Sequence, residues 1–227
     1  MGNPNELGRE MAMVHRMFRR EFGLAPGVVR RVRPGDPARA AVVAGHLRLV
    51  GTLLHHHHAG EDEQIWPLLL DRAALNVARI RDVERQHRDV ELARAVMADA
   101  LDKWCQSADA HARERLATTL ESLNATLVEH MDYEERHVVP PMEQHVERAE
   151  WDRVIQAMAA GIEPNDLLLT LGMTTYEGDA DTIERTFANM PPALGPSPRT
   201  AAEAAYARHA EVVHGTATPP RTAELRR

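Results

Sequence analysis

One motif occurs twice in this chain, as His57-His-Ala-Gly-Glu61-Asp-Glu-Gln-Ile-Trp-Pro67 and as His130-Met-Asp-Tyr-Glu134-Glu-Arg-His-Val-Val-Pro140. Each copy has a histidine, a glutamate four residues later, an acidic residue directly after that glutamate, and a proline six residues after it. Residues i and i+4 lie one turn apart on one face of an α-helix, so each copy aims an imidazole and a carboxylate in the same direction. Leucines precede both copies at helical spacing, which predicts that this direction is the buried one.

Apolar residues recur at three- and four-residue steps in four segments, which predicts four amphipathic helices. The predicted helices are residues 7–22, a helix from Asp36, a helix from about Asp71, and one that ends before Pro140. Asp36 is a suitable N-cap because a proline follows it, a Gly/Pro-rich break is expected at 23–37, and a turn at 107–109. Four long helices with short connections predict an all-α, up-down-up-down four-helix bundle over residues 1–146.

Residues 147–227 have a different composition, with glycines and prolines between shorter helical patterns. Helices are predicted at 151–160, 179–189 and 200–214, with a Pro-rich stretch at 190–198 and a flexible tail at 215–227. We interpret this region as a C-terminal helical extension of the bundle and not as an independent domain.

The composition excludes several classes of protein. The formal net charge is -7 and no basic stripe is present, so nucleic acid is not an expected partner. No apolar run approaches the ~20 residues that a membrane span needs, and the first nine residues lack the apolar core of a signal peptide. The single cysteine, Cys105, cannot form an internal disulfide, which fits a reducing compartment. The sequence therefore predicts a soluble cytoplasmic protein.

The two inward glutamates of the repeated motif need a counter-charge. A buried carboxylate without a partner costs several kcal/mol, and two of them facing one core repel each other, whereas a cation between them removes both problems. The other two helices each offer one histidine on the apolar stripe, His15 and His87. The predicted metal ligands are therefore His15, His57, Glu61, His87, His130 and Glu134. Nitrogen and carboxylate ligands from facing helices suit two iron or manganese ions, with positions left for a bridging oxygen species and a small external ligand.

The order His15, His57-x-x-x-Glu61, His87, His130-x-x-x-Glu134 resembles the hemerythrin HHE cation-binding family over about residues 8–146. The resemblance implies two non-haem iron ions (Fe2+/Fe3+, oxo- or hydroxo-bridged), with manganese or zinc as substitutes. It also implies oxygen, hydrogen peroxide or nitric oxide as the small ligand, in a stress response or in iron handling. In the oxygen-carrying members the third helix carries two ligand histidines four residues apart, but here the second position is Val83. The set is thus more similar to the bacterial iron-centre repair proteins and other bacterial hemerythrin-like proteins.

The remaining histidines near the motif are interpreted as lying outside the ligand set. His55, His56 and His58 are expected at the flank or surface of the second helix. His46 lies three turns before His57, roughly 16 Å away at 1.5 Å per residue, and is predicted to be a core histidine with a hydrogen-bond partner. His137 is expected at the periphery of the centre.

Several acidic residues and one tyrosine near the motif keep two interpretations. Asp62, Glu63 and Glu135 are expected to be solvated, with Glu63 as an alternative ligand. Glu84 and Glu91 stand at spacings of three and four from His87, so either could orient its ring, although ordinary surface charge is the simpler interpretation. Tyr133 either packs or donates to a bound oxygen species.

Three functions follow from these residues. The first is a diiron protein that binds or reacts with oxygen, hydrogen peroxide or nitric oxide. The second is a sensing module without turnover, in which metal or redox state orders the helices and the extension reports it to a partner. The third is a metal-free bundle whose inward polar residues satisfy one another. A hydrolytic zinc enzyme is not expected, because the chain has no His-Glu-x-x-His motif.

Overall fold

The computed structural model describes residues 6–72, 77–160, 162, 164–190 and 194–225, and these residues form helices joined by short turns without a strand. In chain order the helices are α1 (Glu6–Arg30), α2 (Pro37–Gly60), α3 (Trp66–Arg72), α4 (Val77–Ser107), α5 (Ala110–His137), α6 (Val139–His145), α7 (Arg148–Ala160), α8 (Pro164–Thr175), α9 (Ala180–Ala188), α10 (Pro198–His214) and α11 (Thr222–Leu225). A π-helical turn, Glu61–Ile65, joins α2 to α3. None of the described helices is both long and apolar enough to cross a membrane.

Helices α1, α2, α4 and α5 form the four-helix bundle. Helix α1 packs on α2 and α5, and α4 packs on the same two helices, so the ring is closed. Arg30 at the end of α1 pairs with Glu114 near the start of α5. The backbone N–H of Gly8, at the start of α1, donates to Glu143 just beyond α5. These two contacts show that α1 runs antiparallel to α5. The predicted all-α bundle is confirmed.

The predicted break between the first two helices is largely helix. Helix α1 continues through Gly23 and Pro26 to Arg30, so only the last part of the stretch 23–37 is a connection. A proline inside a helix costs about 3 kcal/mol or more. Burial of a valine or phenylalanine side chain contributes roughly 1.5–3 kcal/mol, and Phe22, Val28 and Val29 are all buried. The core contacts of this last stretch therefore outweigh the cost of its proline.

The start of the third bundle helix also differs from the prediction. Asp71, expected as its beginning, lies near the end of α3, and α4 begins at Val77. The second apolar stripe continues through the π-helical turn into α3, because Gly60, Glu61 and Trp66 all keep right-handed helical backbone angles. The N-cap prediction is confirmed, since the Asp36 side chain accepts from the backbone N–H of Arg39.

Helices α7 to α11 follow the bundle and contact it. The three helices predicted in this region are present as α7, α9 and α10, and α8 was not predicted. Helix α8 packs on α10 and α1, and α10 also packs on α2. The tail predicted to be flexible contains α11, where the Thr222 hydroxyl donates to the carbonyl of Arg16 and its N–H donates to Glu177. The division into a bundle of residues 1–146 and an extension of residues 147–227 stays a prediction.

The close approach of α8 to α10 predicts the effect of an alanine at Gly172 in α8, and Gly45 in α2 serves as the control. A Cβ atom at Gly172 would lie 2.0 Å from the backbone oxygen of Ala202, so Gly172→Ala is expected to lower the free energy of unfolding by about 1–3 kcal/mol or more. Gly45 is also inside a helix, but a Cβ atom there meets nothing within 4 Å. Gly45→Ala is therefore expected to stabilise the protein by roughly 0.5–1 kcal/mol. Urea unfolding of both variants checks the sign, and equal effects would contradict the α8–α10 contact.

Candidate metal centre

The structure brings all six predicted ligands together in the core of the bundle. Each exposes at most 6% of its surface. Four contacts connect them in pairs: His15 Nε2 to Glu134 Oε2 at 3.4 Å, His57 Nε2 to Glu61 Oε1 at 3.3 Å, His87 Nε2 to Glu61 Oε2 at 3.6 Å, and His130 Nε2 to Glu134 Oε2 at 3.5 Å. The two glutamates thus lie between imidazoles from all four bundle helices.

Three of these imidazoles are held from outside by their other ring nitrogen. The pairs are His15 Nδ1 with Glu135 at 2.8 Å, His87 Nδ1 with Asp62 at 2.8 Å, and His130 Nδ1 with Gln86 at 3.3 Å. Histidines that bind metals ordinarily have such a partner, which fixes the tautomer and the orientation of the ring. The arrangement leaves each Nε2 directed at the glutamates.

Several buried polar atoms in the centre have no hydrogen-bond partner among the described residues. They are Nε2 of His58, His87 and His130 and both carboxylate oxygens of Glu61 and Glu134. Each unpaired buried group costs about 1–3 kcal/mol, and a charged one costs more. Cations between these nitrogens and oxygens would satisfy all of them at once. The third function predicted above, a metal-free bundle of mutually satisfied residues, does not account for these atoms.

Comparison with known families decides the class of this centre. Residues 8–142 match the model of the Hemerythrin HHE cation binding domain. The chain belongs to this family. No curated protein and no solved structure shows significant similarity to it. Membership of this family implies that the domain binds metal ions, commonly iron, and the described structure holds buried groups of histidine and glutamate that could take them.

Burial and the neighbouring charges set the protonation of the ligands in this HHE domain. Burial lowers the pKa of His57 and of His130 to about 3, so both imidazoles are neutral at neutral pH and have a lone pair for a metal. Burial and the nearby charge of Glu134 raise the pKa of Glu61 well above its usual range. Burial also acts to raise the pKa of Glu134, but the imidazole of His15, whose Nε2 lies 3.4 Å from Glu134 Oε2, outweighs it and lowers that pKa. The charge of Glu134 is therefore compensated by His15, whereas the charge of Glu61 needs a cation.

The prediction that His58 lies at the flank or surface is wrong. The residue is 6% exposed, and its ring stacks on that of His87 with centroids 4.1 Å apart and meets that of His130 edge-on at 4.8 Å. The side chains of consecutive helical residues point about 100° apart. The ligand cluster extends across this angle, so both His57 and His58 can face it. His57 therefore faces His15 on one side, and His58 faces His87 on the other.

A gap in the family pattern could have indicated this role of His58. The oxygen-carrying members of the HHE family have a second histidine on the third helix, where this chain has Val83. The described structure stacks the ring of His58 on that of His87, so the second helix supplies a further imidazole beside the one from the third bundle helix. Sequence periodicity selected only one of the four consecutive histidines, and His55 and His56 are exposed as predicted.

The residues around the ligands partly differ from prediction. Glu135 was expected to be solvated, but it accepts from both His15 and Arg19. The ring of His87 is oriented by Asp62, an exposed residue, and not by Glu84 or Glu91. A helix pattern cannot predict these pairs, because they join different helices.

The other polar residues near the motif point away from the centre. The hydroxyl of Tyr133 donates to Asp82 at 3.2 Å, and the ring of His137 packs on that of Tyr133. Glu63 is exposed, as predicted. His46 is buried, and its Nδ1 lies 3.0 Å from Nε2 of His209 on α10, which confirms the prediction of a partnered core histidine.

Proposed function

We propose that this HHE domain binds two iron ions and uses them to bind or react with a small ligand: oxygen, hydrogen peroxide or nitric oxide. The observation that carries the proposal is the division of the centre into two histidine groups with shared glutamates. One group is His15 and His57 with Glu134, and the other is His58, His87 and His130. Glu61 and Glu134 also come together with His87, which suits carboxylates that bridge two ions.

The two proposed positions differ in their number of protein ligands. If each glutamate gives one oxygen to each ion, the position beside His58, His87 and His130 has three nitrogens and two oxygens. The position beside His15 and His57 then has two nitrogens and two oxygens. Octahedral ions take roughly six ligands, so an external ligand is expected on the side of His15 and His57.

Aromatic residues lie beside the centre on both sides. The ring of Phe18 lies 5.4 Å from that of His57, and Trp66 lies 6.0 Å from His87 on the other side. When bound, an iron pair supplies Lewis acidity and electron transfer. Apolar walls that exclude water strengthen the electrostatic interactions of such a centre and limit side reactions.

Elemental analysis and rapid mixing test the proposal. We expect two iron ions per chain and a change in the visible spectrum on stopped-flow mixing with oxygen, peroxide or nitric oxide. Zinc or manganese bound in place of iron would contradict the iron assignment. Two irons without any spectral response would favour the second function, a sensing module without turnover, which the contacts of α8 and α11 with α1 support. Deletion of the extension would then remove binding to a partner.

The role of His58 gives a matched pair of variants. His58→Ala removes one of the proposed ligands and is expected to weaken iron binding at least about tenfold. His55→Ala removes an exposed histidine of the same helix and is expected to leave iron binding unchanged. Competition with a chelator measures both. Equal affinities of the two variants would show that His58 is not a ligand, while the six other ligands would stand.

A further inference from the structure

A cavity of about 160 Å³ lies between the bundle and the helices that follow it. Met13, Met17 and Phe18 of α1 line one side, and Met158 of α7 and Leu171 of α8 line the other. The walls are thus mostly apolar and come from two parts of the chain that are far apart in sequence. Because α7 and α8 provide one wall, the cavity exists only where the extension covers the bundle.

The cavity reaches the candidate metal centre. His57 and Glu61 are among its lining residues, and both belong to the predicted ligand set. His57 is on the side where the ligand count leaves more free positions, and Glu61 contacts it at 3.3 Å. A molecule in the cavity would therefore be next to the position expected for the small ligand.

The size and lining of the cavity indicate what it can hold. An apolar cavity of about 150 Å³ stays dry and binds benzene or xenon in another protein, so this cavity can hold a molecule of that size. Methionines adapt to irregular shapes and favour contact with aromatic rings, and they are frequent in these walls. Water has few partners here, because most of the lining atoms cannot form hydrogen bonds.

Glu10 and Arg148, two charged residues of the cavity lining, are paired with each other. Arg148 donates to Glu10 at 2.7 Å and also pairs with Asp152, while the indole N–H of Trp151 donates to Glu10 at 2.6 Å. The guanidinium of Arg148 is thus occupied by two carboxylates and does not favour an anionic ligand. These contacts select an uncharged molecule over a carboxylic acid.

We propose that this cavity binds a small, uncharged, apolar organic molecule, of about the size of benzene, beside His57 and Glu61. Binding depends only on the walls of the cavity. The effect of the bound molecule on the metal centre rests on the proposed function.

The test uses the full chain with benzene as the probe and benzoate as its charged counterpart. Benzene is expected to bind with a Kd of about 1 mM or tighter, measured by NMR shifts and by the unfolding temperature of metal-free protein. Benzoate is expected to bind at least tenfold more weakly. Absence of benzene binding would overturn the proposal, and equal binding of benzoate would overturn the assignment of an uncharged ligand.

Two variants on α8 locate the bound molecule. Leu171→Phe places a larger side chain in the cavity and is expected to abolish benzene binding, whereas Leu168→Phe, on the same helix but not in the cavity wall, is expected to retain it. Circular dichroism checks that both variants are folded. If Leu171→Phe does not fold, nuclear Overhauser contacts from benzene to the methionine methyl groups of the unsubstituted protein locate the probe. Contacts to other residues would overturn the assigned location.

The effect on the metal centre is read separately, from the visible spectrum of iron-loaded protein with and without benzene. A shift in this spectrum is expected, and it should be absent in Leu171→Phe. Benzene binding without a spectral shift would leave the cavity in place and overturn its position beside the metals. Failure to bind iron would contradict the proposed function alone, because the benzene measurements do not need metal.

Discussion

Glu61→Gln is expected to abolish binding of the iron pair and, at the same time, to stabilise the metal-free protein near pH 7. A glutamine has no charge to share between two ions, so the iron content should fall from two per chain to less than one. In the metal-free protein the same substitution removes a buried carboxylate that faces Glu134 without a hydrogen-bond partner. Loss of function and gain of stability in one variant would identify Glu61 as a residue kept for the metal.

The pKa of Glu61 determines how the stability gained by Glu61→Gln changes with pH in the metal-free protein. The pKa of Glu61 is raised by burial and by the charge of Glu134, so the folded state holds this proton more tightly than the unfolded chain does. Stability from this group is complete below its usual pKa of 4.5 and is lost as the pH rises through the folded value. The advantage of Glu61→Gln over the unsubstituted protein should therefore grow from pH 5 to pH 8.

Urea unfolding of chelator-treated protein at these two pH values measures the effect. Glu63→Gln is the matched control, since Glu63 is exposed two residues away and its substitution should change neither iron content nor stability. If Glu61→Gln and Glu63→Gln had the same stability at pH 8, the buried carboxylate would not be destabilising. If both kept two irons, Glu61 would not be a ligand.

The sequence predicted which faces of the four bundle helices point inward, because these faces depend on the spacing of residues within each helix. His57 with Glu61, and His130 with Glu134, share a helix face whatever the rest of the chain does. The prediction ended where a residue's role depends on another helix. His58 is adjacent to His57 in sequence, but its burial depends on the rings of His87 and His130 opposite it.

The ends of the helices and the extension were less predictable for the same reason. Pro26 signals a break locally, yet the burial of its neighbours extends α1 past it. Helix α8 has leucines at consecutive positions and no clear apolar stripe, and it forms where α1 and α10 cover it. Thr222 lies in a polar tail, and its order comes from hydrogen bonds to Arg16 and Glu177. Each of these contacts joins residues far apart in the chain.

A buried polar connection between the bundle and the later helices centres on Arg20 of α1. Its side chain is fully buried and donates to Glu21 at 2.9 Å, to Glu177 at 2.7 Å and to the carbonyl of Met173 at 2.7 Å. Tyr206 of α10 donates to the same oxygen of Glu21 at 2.8 Å. One guanidinium thus compensates two buried carboxylates and fixes α8 and α10 against α1.

Arg20→Ala is expected to lower the free energy of unfolding by about 3–5 kcal/mol, because it leaves the buried carboxylate of Glu177 without its guanidinium and that of Glu21 with only the imidazoles of His46 and His214 beside it. Arg30→Ala is the matched control on the same helix. Arg30 also pairs with two glutamates, but Glu114 and Glu121 are exposed and the Arg30 side chain is itself 36% exposed, and solvent screens such pairs. Urea unfolding should show a large loss for the first variant and little change for the second. Hydrogen exchange of α8 and α10 should also accelerate in Arg20→Ala. Similar losses in both variants would mean that burial does not strengthen this network, and unchanged exchange would mean that Arg20 does not hold these helices to the bundle.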